Sequence, residues 1–356
     1  MTRRRYFLIA AAVVLVFLVV AIALHLSHGH TSAPASSAPA STPSQDLSAD
    51  ASGSPTSVYA HNILLRKGPD FKVYIRWISG LMRPTKASEV PSFDDSDSFV
   101  LEIQKGLILA RLDDISNFLN TAGPTTTPLK NISIEAAGGD SVKIKGTVHK
   151  IFSLPVEIDG QLSSTPDYKI KMHVTKINVL HVPMKGLLGG FHVELDDLVK
   201  MKNTPGINIV DNDILFDTQA LLPPPHIHGR ITSVHIVPPN LEVIYGGVTQ
   251  DDGQLAQWHN FLRFEGGSLS FGRLTMHPVD LTMIDASDDP WFDLDLTHYQ
   301  AQLVNGYTRM TSKAGLEIYM PDLDEMPEKS KKPSAAVTLD WLKNRNLTIP
   351  ADVPVK

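Results

Sequence analysis

The stretch SVKIKGTV, residues 141–148, decides the fold. Val142, Ile144, Gly146 and Val148 alternate there with Lys143, Lys145, Thr147 and, one residue on, His149. A period of two places one set of side chains on a buried face and the other in water, which is how an antiparallel strand with one wet side reads. The stretch KIKMHV, residues 169–174, repeats the pattern. Working outward, residues 131–135, 151–162 and 168–179 read as further strands at short spacing, so the centre of the chain is a meander.

Upstream of the meander, residues 99–103 and 107–112 are strand-like and lead into DDISNFLN, residues 113–120. Asp113 or Asp114 can cap a helix there, and Leu112, Ile115 and Leu119 share one helical face. Residues 71–78 (FKVYIRWI) alternate for several positions and form another strand. The run Asp94-Asp95-Ser96-Asp97 lacks calcium-loop spacing and reads as a solvated turn. Downstream, residues 180–201 hold Leu188, Phe191, Leu195 and Leu198 at helical spacing. Gly186, Gly189 and Gly190 break that helix, since each glycine costs up to about 1 kcal/mol relative to alanine. A hairpin over 207–217 turns at Asp211-Asn212, and Leu221 to Pro225 ends it. Residues 226–236 read as one alternating strand, with His226 and His228 on the same side.

Composition shifts after Gly246. Strands are expected at 261–264, at 266–276 with glycine punctuation, and at 280–285, 291–295 and 316–319, with a helix over 298–307. Residues 325–332 form a charged, proline-bounded tail, and 340–343 a short closing helix.

Residues 6–26 (YFLIAAAVVLVFLVVAIALHL) contain no charged side chain and follow Arg3, Arg4 and Arg5. About 20 apolar residues match the hydrocarbon thickness of a bilayer, and only a helix satisfies its own backbone there. The arginines favour the cytoplasmic side, so the expectation is a single-pass anchor with the bulk of the chain extracytoplasmic. Residues 27–57, rich in Ser, Ala, Pro and Thr, are too poor in apolar side chains to order themselves and read as a linker. Five segments result: a basic tip over 1–5, the anchor over 6–26, the linker over 27–57, a β-rich domain over 58–246 and a β-rich extension over 247–356.

The totals exclude several chemistries. The chain of 356 residues has no cysteine, which removes disulfides, thiolate metal sites and cysteine nucleophiles. Its formal net charge is −6 and basic runs are short, so nucleic acid is not an expected partner. No nucleophile elbow, zinc-protease, phosphate-loop or kinase motif occurs. The glycines at 266, 267 and 272 do not follow a strand-to-helix nucleotide pattern. His226 and His228 read as polar-face residues in the absence of a third convergent ligand. No catalytic, cofactor or metal residue is therefore assigned, and the protein is expected not to be an enzyme. An envelope glycan hydrolase using carboxylates within 285–295 stands as a remote reading.

The order of elements in the middle of the chain resembles that of exported, membrane-anchored bacterial lipid-binding proteins of the tubular lipid-binding (TULIP-like) kind. The resemblance rests on the strand pair running into a helix at 107–120 and on the Lys143–Gly146 repeat. It rests also on the LPVEIDG strand at 154–160, the Pro-Met-x-Gly-Leu-Leu segment at 183–188, the 211–216 hairpin and the final strands through Tyr245. It covers about 150 residues. It implies an α+β fold, mostly antiparallel β, in which a long twisted sheet wraps short helices as a half-barrel. That half-barrel would form an apolar groove for acyl chains, with Leu119, Leu187, Leu188, Gly189, Gly190 and Phe191 as candidate lipid contacts. The function implied is binding or transfer of a membrane lipid without catalysis. The alternative is an envelope scaffold with a solid core and a protein partner, because alternation alone does not separate a lined cavity from a filled one.

Overall fold

The computed structural model describes residues 54–322 apart from 68–70, 88, 122–128, 150–152, 180–206, 211, 222–224, 252–254, 256–257 and 288–289. The anchor, most of the linker, Leu187, Leu188, Gly189, Gly190 and Phe191, and the C-terminal tail lie outside the described residues. Among the described residues no helix is long and apolar enough to cross a membrane.

The N-terminal half runs β1 (Thr56–Lys67), β2 (Phe71–Pro84), β3 (Phe99–Arg111), α1 (Leu112–Thr121), β4 (Leu129–Gly138), β5 (Ser141–His149), β6 (Ser153–Ser164) and β7 (Ile170–Val179). There follow β8 (Ile207–Val210), β9 (Asp213–Phe216), α2 (Thr218–Leu221), β10 (His226–Gly229), β11 (Ile231–Val237) and β12 (Asn240–Tyr245). The last part holds β13 (Phe261–Gly266), β14 (Leu269–Phe271), β15 (Leu274–Met276), β16 (Val279–Asp285), β17 (Phe292–Asp295), α3 (Tyr299–Val304), β18 (Tyr307–Met310) and β19 (Leu316–Met320). The fold is mostly antiparallel β with few helices.

Two sheets carry it. The expected meander is a six-stranded sheet in the order β4-β5-β6-β7-β9-β8. The second sheet has eleven strands, ordered β11-β12-β3-β2-β1-β13-β16-β19-β18, with β10 added beside β3 and β17 beside β1. β13 pairs with β1, Val58 opposite Phe264, so strands from both sides of residue 246 share this sheet. Ser164 Oγ donates to Thr232 O at 2.8 Å, and Asp140 Oδ1 accepts from Ile236 N at 3.1 Å, joining the six-stranded sheet to β11. One apolar core runs through both sheets, with Ile144, Met172 and Phe216 from the smaller and Val58, Phe264 and Met283 from the larger.

Several sequence expectations change on contact with this topology. Residues 99–103 and 107–112 are not two strands but the single β3, hydrogen-bonded to β2 along its length. Gly106 keeps it close, because a Cβ there would lie 2.8 Å from Trp77 O. The expected strand over 226–236 is split at Arg230: β10 runs parallel to β3 while β11 runs antiparallel to β12. The helix expected over 298–307 is only α3, and Tyr307 begins β18 opposite Tyr319. A Cβ at Gly306 would meet Tyr319 O at 2.6 Å, so the chain turns there against β19. β1 begins two residues before Val58, where Thr56 Oγ1 donates to Ser268 O and accepts from Ser268 N, both at 3.1 Å. Asp94 is not merely solvated: its carboxylate accepts from the Tyr299 hydroxyl, from Gln300 Nε2 at 2.8 Å and from Gly272 N at 2.8 Å.

β1 itself was not legible, and its geometry gives the reason. Val58 and Ala60 face the core, as do Ile63 and Leu65, so the parity flips at Asn62. Asn62 has φ +49°, in the left-handed region. β2 flips at the same level, where Arg76 is an extra residue in the pairing with β3. Asn62 is also where β1 exchanges its antiparallel neighbour β13 for its parallel neighbour β17. The Asn62 side chain holds the junction, donating to His259 O at 3.2 Å and Asn260 Oδ1 at 3.1 Å and accepting from Arg76 Nη1 at 2.8 Å.

Candidate functional site

The candidate lipid face is the apolar side of the six-stranded sheet together with α1. Within α1, Leu112, Ser116, Phe118 and Leu119 are buried, and Ile115 packs against the core from a half-buried position. Ser116 and Asn120, one helical turn apart, dock the helix on the outermost strand of the sheet. Ser116 Oγ donates to Leu112 O at 2.8 Å and accepts from Ile134 N at 2.9 Å. Asn120 donates to Ile132 O and accepts from Ile132 N, each at 2.7 Å, as a neighbouring strand would. The helix thereby covers an edge whose bare backbone groups would otherwise recruit another strand. Apolar spacing alone did not mark these two polar residues.

Leu119 is 3 % exposed and sits in the common core beside Ile132 and Ile134 on β4. The other five residues assigned to the lipid face lie outside the described residues, so only Leu119 is placed. Deeper in the sheet, Met172 is fully buried on β7 and lies against Gly160 on β6. A Cβ at Gly160 would come within 2.3 Å of Met172 Cε, which leaves the thioether, not a void, over that point.

The opposite face of this sheet is a ladder of cross-strand ion pairs. Lys143 Nζ donates to Glu157 Oε1 at 2.8 Å and lies 3.6 Å from Asp159. Lys145 pairs with Glu135 at 2.7 Å, and Lys171 and His173 both approach Asp213. The hydrogen bond from Lys143 holds the Glu157 carboxyl below its usual range, and the same bond raises Lys143. These pairs are cheap to break at an exposed surface, yet they forbid the register slip that would bury them.

Among the described residues, Asp285, Asp293 and Asp295 of the glycan-hydrolase reading are engaged in other contacts. Asp293 is bound bidentately by Arg66, through Nε at 2.6 Å and through Nη2. Asp295 Oδ1 accepts from Thr297 N at 2.7 Å, and Asp285 takes Asn260 Nδ2 at 2.9 Å and the Ser287 hydroxyl at 2.7 Å. The fully buried Gln302 links the region, donating to Asp293 O at 2.6 Å and Pro321 O at 3.0 Å while accepting from Asp295 N at 3.0 Å. These groups tie β17, α3 and the end of β19 together. His226 and His228 stand on β10 opposite Val100 and Glu102. Among the described residues no group of three or more His, Asp or Glu is placed to hold a metal ion.

No protein-family model, no curated protein and no solved structure matches the chain.

Proposed function

We propose that this is a membrane-anchored, extracytoplasmic protein of the TULIP-like kind that binds or transfers a membrane lipid without catalysing a reaction. Residues 6–26 hold it in the bilayer, and the acyl chain lies along the apolar side of the six-stranded sheet next to α1. The supporting observation is the division of that sheet into a charged outer ladder and an apolar inner face closed at the β4 edge by α1. Each methylene kept out of water by such a face is worth about 0.8 kcal/mol, which offsets what the acyl chain loses on leaving the bilayer.

A second reading, an envelope scaffold with a solid core and a protein partner, is favoured by Met172 filling the space over Gly160. The full chain, extracted in mild detergent and released in native mass spectrometry, separates them. The lipid reading expects one co-purified lipid of defined mass per chain, lost in Leu188→Asp while the fold persists. A chain that stays ligand-free after incubation with envelope lipids would refute it and leave the scaffold.

A further inference from the structure

The eleven-stranded sheet has a second face, turned away from the common core. Tyr59 and His61 on β1, Trp77 and Ser79 on β2, Lys105 on β3 and Phe261 on β13 point to it by strand parity. A separate cluster of Trp258, Phe261, Ile284 and Tyr319 forms part of this face, with Tyr59 and Leu255 packed against it. Between the sheet and Val248, Gln250, Asp251 and Leu255 lies a cavity of about 220 Å³. Tyr59, Trp77 and Phe261 give it aromatic walls, and Gln104, Lys105, Gln250 and Asp251 line it as well. The bulge in β3 explains why two consecutive residues reach one cavity. Ser79 pairs with Lys105 and Gly80 with Ile103, so Gln104 is the extra residue and is freed from strict alternation.

Two opposite charges line this space without neutralising each other. Asp251 stands beside β1, its Oδ2 3.9 Å from His61 Nε2. Lys105 is on β3, two strand spacings from β1, about 10 Å across the sheet, and has no ion-pair partner among the described residues. We infer that the cavity binds a small zwitterion, its oxyanion on Lys105 and its ammonium between Asp251 and the aromatic walls. An ammonium donates a charge-assisted hydrogen bond to the carboxylate and is attracted to the ring faces. A phosphate and an ammonium joined by two carbons carry both charges on one small molecule. Phosphoethanolamine has that chemistry, either free or as a lipid headgroup. This site stands apart from the proposed acyl-chain face, on the other side of the larger sheet, so failure of lipid loading leaves it standing.

The test is calorimetric titration of O-phosphoethanolamine into the full chain held in phosphatidylglycerol nanodiscs. One saturable site is expected, with inorganic phosphate and ethanolamine each binding at least about tenfold more weakly. Lys105→Gln and Asp251→Asn, both at exposed positions, are each expected to lower affinity at least about tenfold. The charge exchange Lys105→Asp with Asp251→Lys is expected to restore part of it. Nanodiscs containing phosphatidylethanolamine distinguish the sources: competition there assigns the site to the lipid headgroup, and undiminished binding assigns it to the free zwitterion. No saturation up to about 10 mM, or wild-type affinity in either single variant, would overturn the inference.

Discussion

Asn62 is the sharpest place to test the account of the larger sheet. Replacing it with alanine removes three hydrogen bonds, those to His259 O and Asn260 Oδ1 and that from Arg76 Nη1. Two of the freed groups lie near solvent and recover water, so the hydrogen-bond loss amounts to about 1–2 kcal/mol. Alanine also tolerates φ +49° less well than asparagine, which adds roughly 1 kcal/mol. Asn62→Gly loses the same hydrogen bonds but no longer strains the backbone. The expected order of stability is therefore wild type, then Asn62→Gly, then Asn62→Ala, with the two variants separated by about 1 kcal/mol. This reverses the usual strand preference, in which glycine is the worse residue. Urea unfolding followed by tryptophan fluorescence measures it, and an unchanged slope shows that the midpoint reports stability. If the alanine variant proves as stable as the glycine variant, the left-handed junction is not what holds β1 between β13 and β17.

Gly160→Ala is expected to cost about 1–3 kcal/mol by overpacking, and combining it with Met172→Ala is expected to cost less than the sum of the single changes; additive midpoints would count against the contact. Asp293→Ala, which removes the carboxylate that Arg66 grips through Nε and Nη2, is expected to destabilise by about 1.5–3 kcal/mol, and a shift below about 1 kcal/mol in thermal unfolding would refute that role. The Glu157 carboxyl is depressed by the bond from Lys143, so its contribution is present above the ordinary carboxylate pKa and is lost as pH falls through the lower folded value. Lys143 is raised, so its share is complete below the ordinary lysine range and lost as pH rises through the higher folded value. In Lys143→Gln the Glu157 titration followed by NMR is expected to move up towards 4.5, its unperturbed value; an unmoved titration would show that the pair does not form in solution.

The meander was legible because its physics is local. Along β5 and β7 one face is apolar and the other is charged, so residue type reports orientation at each step and the bounds come within one or two residues of those read. The helix α1 was legible for the same reason, through acidic residues in its first turn and apolar spacing. Where a strand changes parity, that signal cancels. β1 inserts Asn62 and β2 inserts Arg76, and two half-strands of opposite phase read as no strand or as a shorter one. α3 was overextended because Tyr299, Leu303 and Tyr307 keep helical spacing while the close approach of Gly306 to β19 stops the helix. Of the assigned lipid contacts, Leu119 followed from its helical face. The cavity beside Lys105 had no signal at all, since its lining comes from residues 59–60, 77–79, 104–105, 248, 250–251, 255 and 261, each unremarkable within its own segment.

Sequence alone determined what depends on near neighbours along the chain: which strands of the meander are amphipathic, where α1 begins, and that no thiol chemistry operates in a chain without cysteine. Only the tertiary structure decided that β1 pairs with β13 about 200 residues away, placing residues from both ends of the described chain in one sheet. Such pairings depend on loop closure and on the shape of the remaining core, and neither leaves a periodic trace in the residues that meet. The same long-range closure brought Lys105 and Asp251 to the lining of one cavity.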